Sequence, residues 1–145
     1  MAVWGLGSIF KVSPPREVTR DFIDNGCACI GWKENQAPVL YEVFKTIQVG
    51  DYIYLKSYSI KYKRLTIKAV GKVIDNRIQE RFPKKDLSFG MLVDWTIDFK
   101  KTTIDFQDNP KFLKYYVYPN TLYQEYNPKI IELIKEAVNN TNSPE

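Results

Sequence analysis

The feature that most constrains this chain is a pair of adjacent alternating segments in its middle. Tyr52-Ile53-Tyr54-Leu55-Lys56-Ser57-Tyr58 alternates in the manner of a half-buried strand. Ser59 to Lys63 turns, and Leu65 to Ile74 alternates again, most regularly from Leu65 to Ala69. Two such segments around a short polar turn make a β-hairpin. Gly71 interrupts the second strand and is expected to be a bulge that bends the sheet around a barrel corner.

The rest of the chain supplies further strands and three helical stripes. Val3 to Phe10, punctuated by Gly5 and Gly7, reads as an opening strand, and Cys27 to Trp32 as a short apolar one. Phe89 to Phe99 resumes strand, with Trp95, Ile97 and Phe99 alternating, and Thr102 to Phe106 follows. Lys114 to Tyr118 is expected to close the sheet. Ser13 before Pro14-Pro15 predicts a helix over 15–25, with Val18 and Phe22 on one face and a stop at Asn25-Gly26. Leu40, Val43, Phe44 and Ile47 predict a second helix over 36–47, after the polar loop 33–36. Asn127-Pro128 is an N-cap and first-turn pair for a third over 128–139, whose stripe is Ile130, Ile131, Leu133, Ile134 and Val138. The charged stretch from Asp75 to Ser88, with Pro83, reads as a loop.

The expected class is α+β: five or six strands in a curved mixed sheet or partly open barrel, flanked by about three helices. At 145 residues with no internal repeat or composition break, one domain over 1–140 with a flexible tail at 141–145 is expected. The apolar runs are too short to span a membrane, and the start lacks the basic and apolar regions of a signal peptide, so a cytoplasmic protein is expected.

Catalysis finds little support. The chain has no histidine, which removes the commonest general base and the usual partner of a serine or cysteine nucleophile. No nucleophile-elbow, phosphate-loop or complete dinucleotide motif occurs. Cys27 and Cys29 are one residue apart, which is neither a redox pair nor half of a zinc site, and they are expected to be core residues holding no metal and forming no disulfide. No cofactor is implied.

Charge is more suggestive. Lysine and arginine total 21 against 17 acidic residues. Lys56, Lys61, Lys63, Arg64, Lys68 and Lys72 crowd the hairpin, interleaved with Tyr52, Tyr54, Tyr58 and Tyr62. Such a cluster is either a solvated hairpin or a binding face for an anionic partner.

The order of features from residue 2 to about 99 resembles the PUA-like superfamily, and within it the EVE domains, which are related to the YTH readers of modified bases. The resemblance rests on Val3-Trp4-Gly5-Leu6-Gly7, on a helix ending at Asn25-Gly26 before Ile30-Gly31-Trp32, on Val49-Gly50-Asp51 leading into Tyr52 to Ser57, and on Leu65 to Ile74. It implies a binding domain that holds a modified or flipped nucleobase of DNA or RNA in an aromatic pocket, in a defence or RNA-related setting. The residues it singles out for the base are Trp4, Trp32, Ser57, Tyr58 and Trp95. Lys56, Lys61, Lys63, Arg64 and Lys68 are then candidates for phosphate, since cationic side chains neutralise most of a nucleic-acid backbone. A pocket for a free nucleotide and a protein-interaction module, using the C-terminal helix or the tyrosine-rich segment 115–126, are the alternatives. Each tryptophan has an equally ordinary reading as core, and each lysine as solvated surface.

Overall fold

The computed structural model describes residues 1–10, 14–82 and 88–141. The predicted hairpin is its spine. Strand β5 (Tyr52–Ser59) pairs antiparallel with β6 (Arg64–Glu80), Tyr52 opposite Lys72 and Ser59 opposite Arg64. β1 (Val3–Gly7) runs parallel to β5, and β9 (Leu122–Gln124) antiparallel to β1. β8 (Thr102–Asp105) pairs with the first part of β6, and β7 (Phe89–Trp95) with its second part. β4 (Cys27–Cys29) completes the order β4-β7-β6-β5-β1-β9, a strongly curled mixed sheet that forms a half-barrel. β2 (Ile9–Phe10) and β3 (Arg16–Glu17) form a separate small pair. Helices α1 (Thr19–Asn25), α2 (Pro38–Phe44) and α3 (Pro128–Thr141), with a 3-10 helix at Pro110–Tyr115, make the fold α+β.

Alternation sends side chains to two cores, one on each face of the sheet. Trp4, Leu6, Ile53 and Leu55 join Phe22 of α1 and Tyr41 and Phe44 of α2. Val3, Tyr52 and Tyr54 join Ile130, Ile134 and Val138 of α3. The second core is tied by a buried polar network. Glu125 accepts the hydroxyls of Tyr54 at 2.6 Å and Tyr118 at 2.9 Å, and the backbone N–H of Asn127 at 3.2 Å. Burial raises the Glu125 carboxyl above its ordinary range, although these donors pull the other way. Asn127 caps α3 as expected, its Oδ1 accepting the Lys129 N–H at 3.0 Å.

β6 bends at register slips that flank Gly71 rather than coincide with it. Leu55 faces Ala69 but Lys56 faces Ile67, so Lys68 is an extra residue. Ile67 and Ala69, two apart and expected on one face, therefore serve opposite cores. Gly71 itself stays in the ladder between Ile53 and Trp95, where a Cβ would come within 2.6 Å of the Asp94 carbonyl. Farther along, Asp75 faces Leu92 and Gln79 faces Gly90, so Asn76, Arg77 and Ile78 together oppose the single residue Met91.

Four other expectations are corrected. The chain before α1 is strand at Arg16–Glu17, and Ser13, the expected cap, lies outside the described residues. The cap role passes to the Glu17 carboxylate, which accepts the Thr19 N–H at 3.0 Å. Asp75 to Glu80 is strand rather than loop, because β7 carries its ladder on to Glu80. Lys114 to Tyr118 does not close the sheet. A 3-10 turn begins at Pro110, Tyr116 and Tyr118 pack as rings against Tyr58, and Leu122–Gln124 takes the edge. Seven strands, not five or six, form the main sheet among the described residues. The expected tail lies mostly outside those residues, and no described helix is long and apolar enough to cross a membrane.

Candidate functional site

The ten residues singled out from sequence are dispersed. Trp4 and Trp95 are core, only 6% and 8% exposed, and their indole N–H groups are committed: Trp4 to Asp51 Oδ2 and Trp95 to the Cys27 carbonyl, each at 3.0 Å. Trp32 is 36% exposed, on the loop before α2, where its carbonyl accepts the Tyr41 hydroxyl. Lys56, Ser57 and Tyr58 meet around a small cavity of about 240 Å3 beside the turn of the hairpin, together with Ser8. Lys68 and Trp95 line a different one, of about 540 Å3.

The hairpin cations have local duties. Lys56 is buried and donates to the carbonyls of Tyr118 at 2.7 Å and Asn120 at 2.6 Å. The Lys68 side chain is 7% exposed and donates to Glu17 at 2.7 Å and Ser8 at 3.0 Å. Lys61 and Arg64 lie over the Tyr62 ring, at 5.3 and 5.6 Å from its centre, and Arg64 pairs with Asp105 at 3.5 Å. Lys63 occupies the turn with φ of 51° and its carbonyl accepts the Phe106 N–H.

A larger cavity, about 780 Å3, lies at the opposite end of β6. One wall is Lys33, Glu34, Tyr41 and Lys45, from the loop and helix after β4. The other is Asn76, Arg77 and Ile78, which are the three residues thrown out of the ladder by the wide slip in β6, with Phe89 beside them. Bulges re-aim side chains in this way and recur beside binding sites. Tyr41, Ile78 and Phe89 supply apolar surface. Lys33, Lys45 and Arg77 supply positive charge, and Lys45 is paired with Glu34 of the same wall at 2.7 Å.

The bulge is held by two arginines and one carboxylate. Asp75 accepts Arg77 Nε at 3.1 Å and Nη2 at 2.6 Å, and also the Arg77 backbone N–H at 2.9 Å. The hydrogen bonds from Arg77 hold the Asp75 carboxyl well below the usual carboxylate range. Arg81, its side chain 8% exposed, donates through Nε to the Gly90 carbonyl at 2.9 Å and through Nη2 to the Arg77 carbonyl. It thereby ties the Gly90 carbonyl of β7 to the Arg77 carbonyl of the bulge. Asn76 is fixed by donating its Nδ2 to the Ile47 carbonyl at 3.0 Å.

Sequence reasoning missed Tyr41, Asn76, Arg77, Arg81 and Phe89. The available signal was Asp75-Asn76-Arg77, three polar residues directly following an alternating strand. Cys27 and Cys29 are free thiols, both wholly buried, and no group of three or more metal-ligating side chains occurs among the described residues.

No family model matches the chain, and no curated protein is significantly similar to it. Among solved structures it is similar to Rpa0253 from Rhodopseudomonas palustris, known from an NMR structure, with a TM-score of 0.48 and 12% identity over 99% of this chain and 97% of that one.

Proposed function

We propose that the chain is a binding domain for a nucleotide unit, a base extruded from DNA or RNA, held in the 780 Å3 cavity between the 33–45 wall and the bulge of β6. The observation that carries this is the triple bulge. Three consecutive residues leave the ladder to deliver one amide, one guanidinium and one aliphatic group to a single concave surface. The volume lies in the range of small-molecule and cofactor sites, roughly 300–1,000 Å3. A flat base lies against Tyr41, Ile78 and Phe89, and its phosphate meets the rim cations. Stacking of a base on an aromatic ring contributes about 1–3 kcal/mol.

This reading keeps the class of function implied by the resemblance to PUA-like EVE domains and moves the site from the hairpin to the bulge. A free nucleotide is the second reading, favoured by the local engagement of Lys56, Lys61, Arg64 and Lys68, hairpin cations that already have partners within the domain. Titrating a labelled single-stranded oligonucleotide and a mononucleotide across a salt series separates the two. Polymer binding through several cations weakens steeply with salt, whereas mononucleotide binding weakens little. Binding of neither, or binding indifferent to Phe89→Ala, overturns the site.

A further inference from the structure

We infer that the site selects guanine, with the outer edge of Arg77 donating two parallel hydrogen bonds to O6 and N7 of the base. This rests on the nucleotide reading above and adds the identity of the base. An arginine side chain has five N–H donors in a rigid planar fork. In Arg77, Nε–H and one Nη2–H are taken by the two oxygens of Asp75. Both Nη1–H groups and the second Nη2–H have no acceptor among the described residues, so a complete two-pronged edge is left over. Arg77 lines the cavity, and its side chain is 71% exposed.

The head group is also anchored. Asp75 grips it from one side and holds its backbone N–H, while the buried guanidinium of Arg81 holds its carbonyl. A flexible surface arginine is ordered only when it binds, at an entropic cost; this one is ordered beforehand. A pre-set pair of parallel donors is complementary to a pair of adjacent acceptors in one plane. Guanine offers that pair at O6 and N7, whereas adenine presents a donor, N6, beside its N7. Cytosine likewise presents an amine and uracil or thymine a single carbonyl on the corresponding edge.

A phosphate also offers two acceptors, and the surroundings of Arg77 favour the base. Its neighbours on the same wall are Ile78, Asn76 and Phe89, surfaces suited to a ring. The lysines, Lys33 and Lys45, lie on the other wall and supply the charge for phosphate.

The test compares guanine, hypoxanthine, adenine and 7-methylguanine, each as the nucleoside monophosphate and as one residue within single-stranded oligothymidine, by calorimetric or fluorescence titration. Guanine and hypoxanthine both keep O6 and N7 and should bind alike. Adenine and 7-methylguanine should bind on the order of tenfold more weakly. Arg77→Lys, which keeps the charge and loses the fork, should bring guanine down to the adenine level and weaken adenine far less, with a cooperative thermal transition retained. Equal binding of all four bases overturns the guanine assignment and leaves the nucleotide site standing. An Arg77→Lys loss that is equal for guanine and adenine makes Arg77 a phosphate contact and overturns it too. Binding of none of the four overturns both.

Discussion

The two ends of β6 both carry cationic side chains and put them to different uses. At the hairpin end, cations and tyrosines alternate, and nearly every one is used internally. Lys56 and Lys68 serve as buried staples, Tyr58 packs among Phe106, Tyr116 and Tyr118, and Arg64 meets Asp105. At the bulge end, one carboxylate and two arginines hold three residues out of the ladder, and the result is an open cavity with unspent donors. A cationic cluster in sequence is therefore a poor guide to a binding face. What distinguishes the bulge end is that the backbone geometry opens a cavity beside its polar groups.

Lys56 offers the hardest test of that contrast. Lys56→Met retains the aliphatic stem but orphans the buried Tyr118 carbonyl and the part-buried Asn120 carbonyl, so it should cost on the order of 3 kcal/mol in urea unfolding. Lys61→Met, on an exposed side chain a few residues away, should stay within about 0.5 kcal/mol. Equal effects would mean that the hairpin lysines are not staples, and would reopen the hairpin as a site.

At the other end, Arg81→Ala removes the donor to the Gly90 and Arg77 carbonyls and should cost about 2 kcal/mol. It should also weaken ligand binding, since the bulge loses its brace. Phe89→Ala, 38% exposed in the wild type, should leave the thermal midpoint within a few degrees and weaken nucleotide binding on the order of tenfold. An Arg81→Ala variant that binds normally would show that the bulge needs no brace.

The pattern of this division explains what the sequence could reveal. The α+β class, the β5–β6 hairpin, the Asn127 cap and the stripe of α3 follow from periodicity and capping chemistry, which are local. The second core was not legible: alternation marks 52–58 as half-buried, and only the packing of α3 shows that Tyr52 and Tyr54 are buried as well. Register slips were not legible, because a slip is decided by the partner strand: nothing within Asp75-Asn76-Arg77-Ile78 shows that Met91 alone will oppose the last three. Trp4 and Trp95 were candidates because tryptophan suits both core and ligand platform. Only tertiary contacts reveal that Asp51 and the Cys27 carbonyl already hold their indoles.

Two carboxylates should answer acid in opposite senses. Arg77 depresses the folded-state pKa of Asp75, so its contribution to stability is present above the ordinary carboxylate value and is lost only as pH falls through the depressed one. The Asp75–Arg77 fork, and any selectivity that depends on it, should thus survive at pH 4.5. Burial raises the pKa of Glu125, so the folded state holds that proton more tightly than the unfolded chain. Its favourable contribution is complete below the ordinary value and is lost as pH rises through the raised one. The stability of wild type relative to Glu125→Gln should accordingly increase as pH is lowered towards 4.5. A difference that is flat with pH would mean that Glu125 ionises as it does in the unfolded chain.

The smallest expected effect belongs to Lys61, and it separates the two ends most sharply. Between Arg64 and Arg77 the strand advances on the order of 40 Å along its own path, while charges at 0.1 M ionic strength are screened over about 10 Å. Lys61 lies beyond Arg64 in the turn and already rests against the Tyr62 ring at 5.3 Å. Lys61→Glu should therefore leave both the affinity for a mononucleotide and its slope against salt unchanged within error. Lys45→Glu, which reverses charge on the cavity wall and abolishes the pair with Glu34, should weaken the same ligand and flatten that slope. A single-stranded oligonucleotide long enough to reach from one end of β6 to the other adds a further arm. If Lys61→Glu weakens the oligonucleotide and spares the mononucleotide, the hairpin contacts flanking nucleotides and the base still occupies the bulge end. If Lys61→Glu weakens the mononucleotide as much as Lys45→Glu does, the ligand lies at the hairpin, and the contrast between the two ends fails.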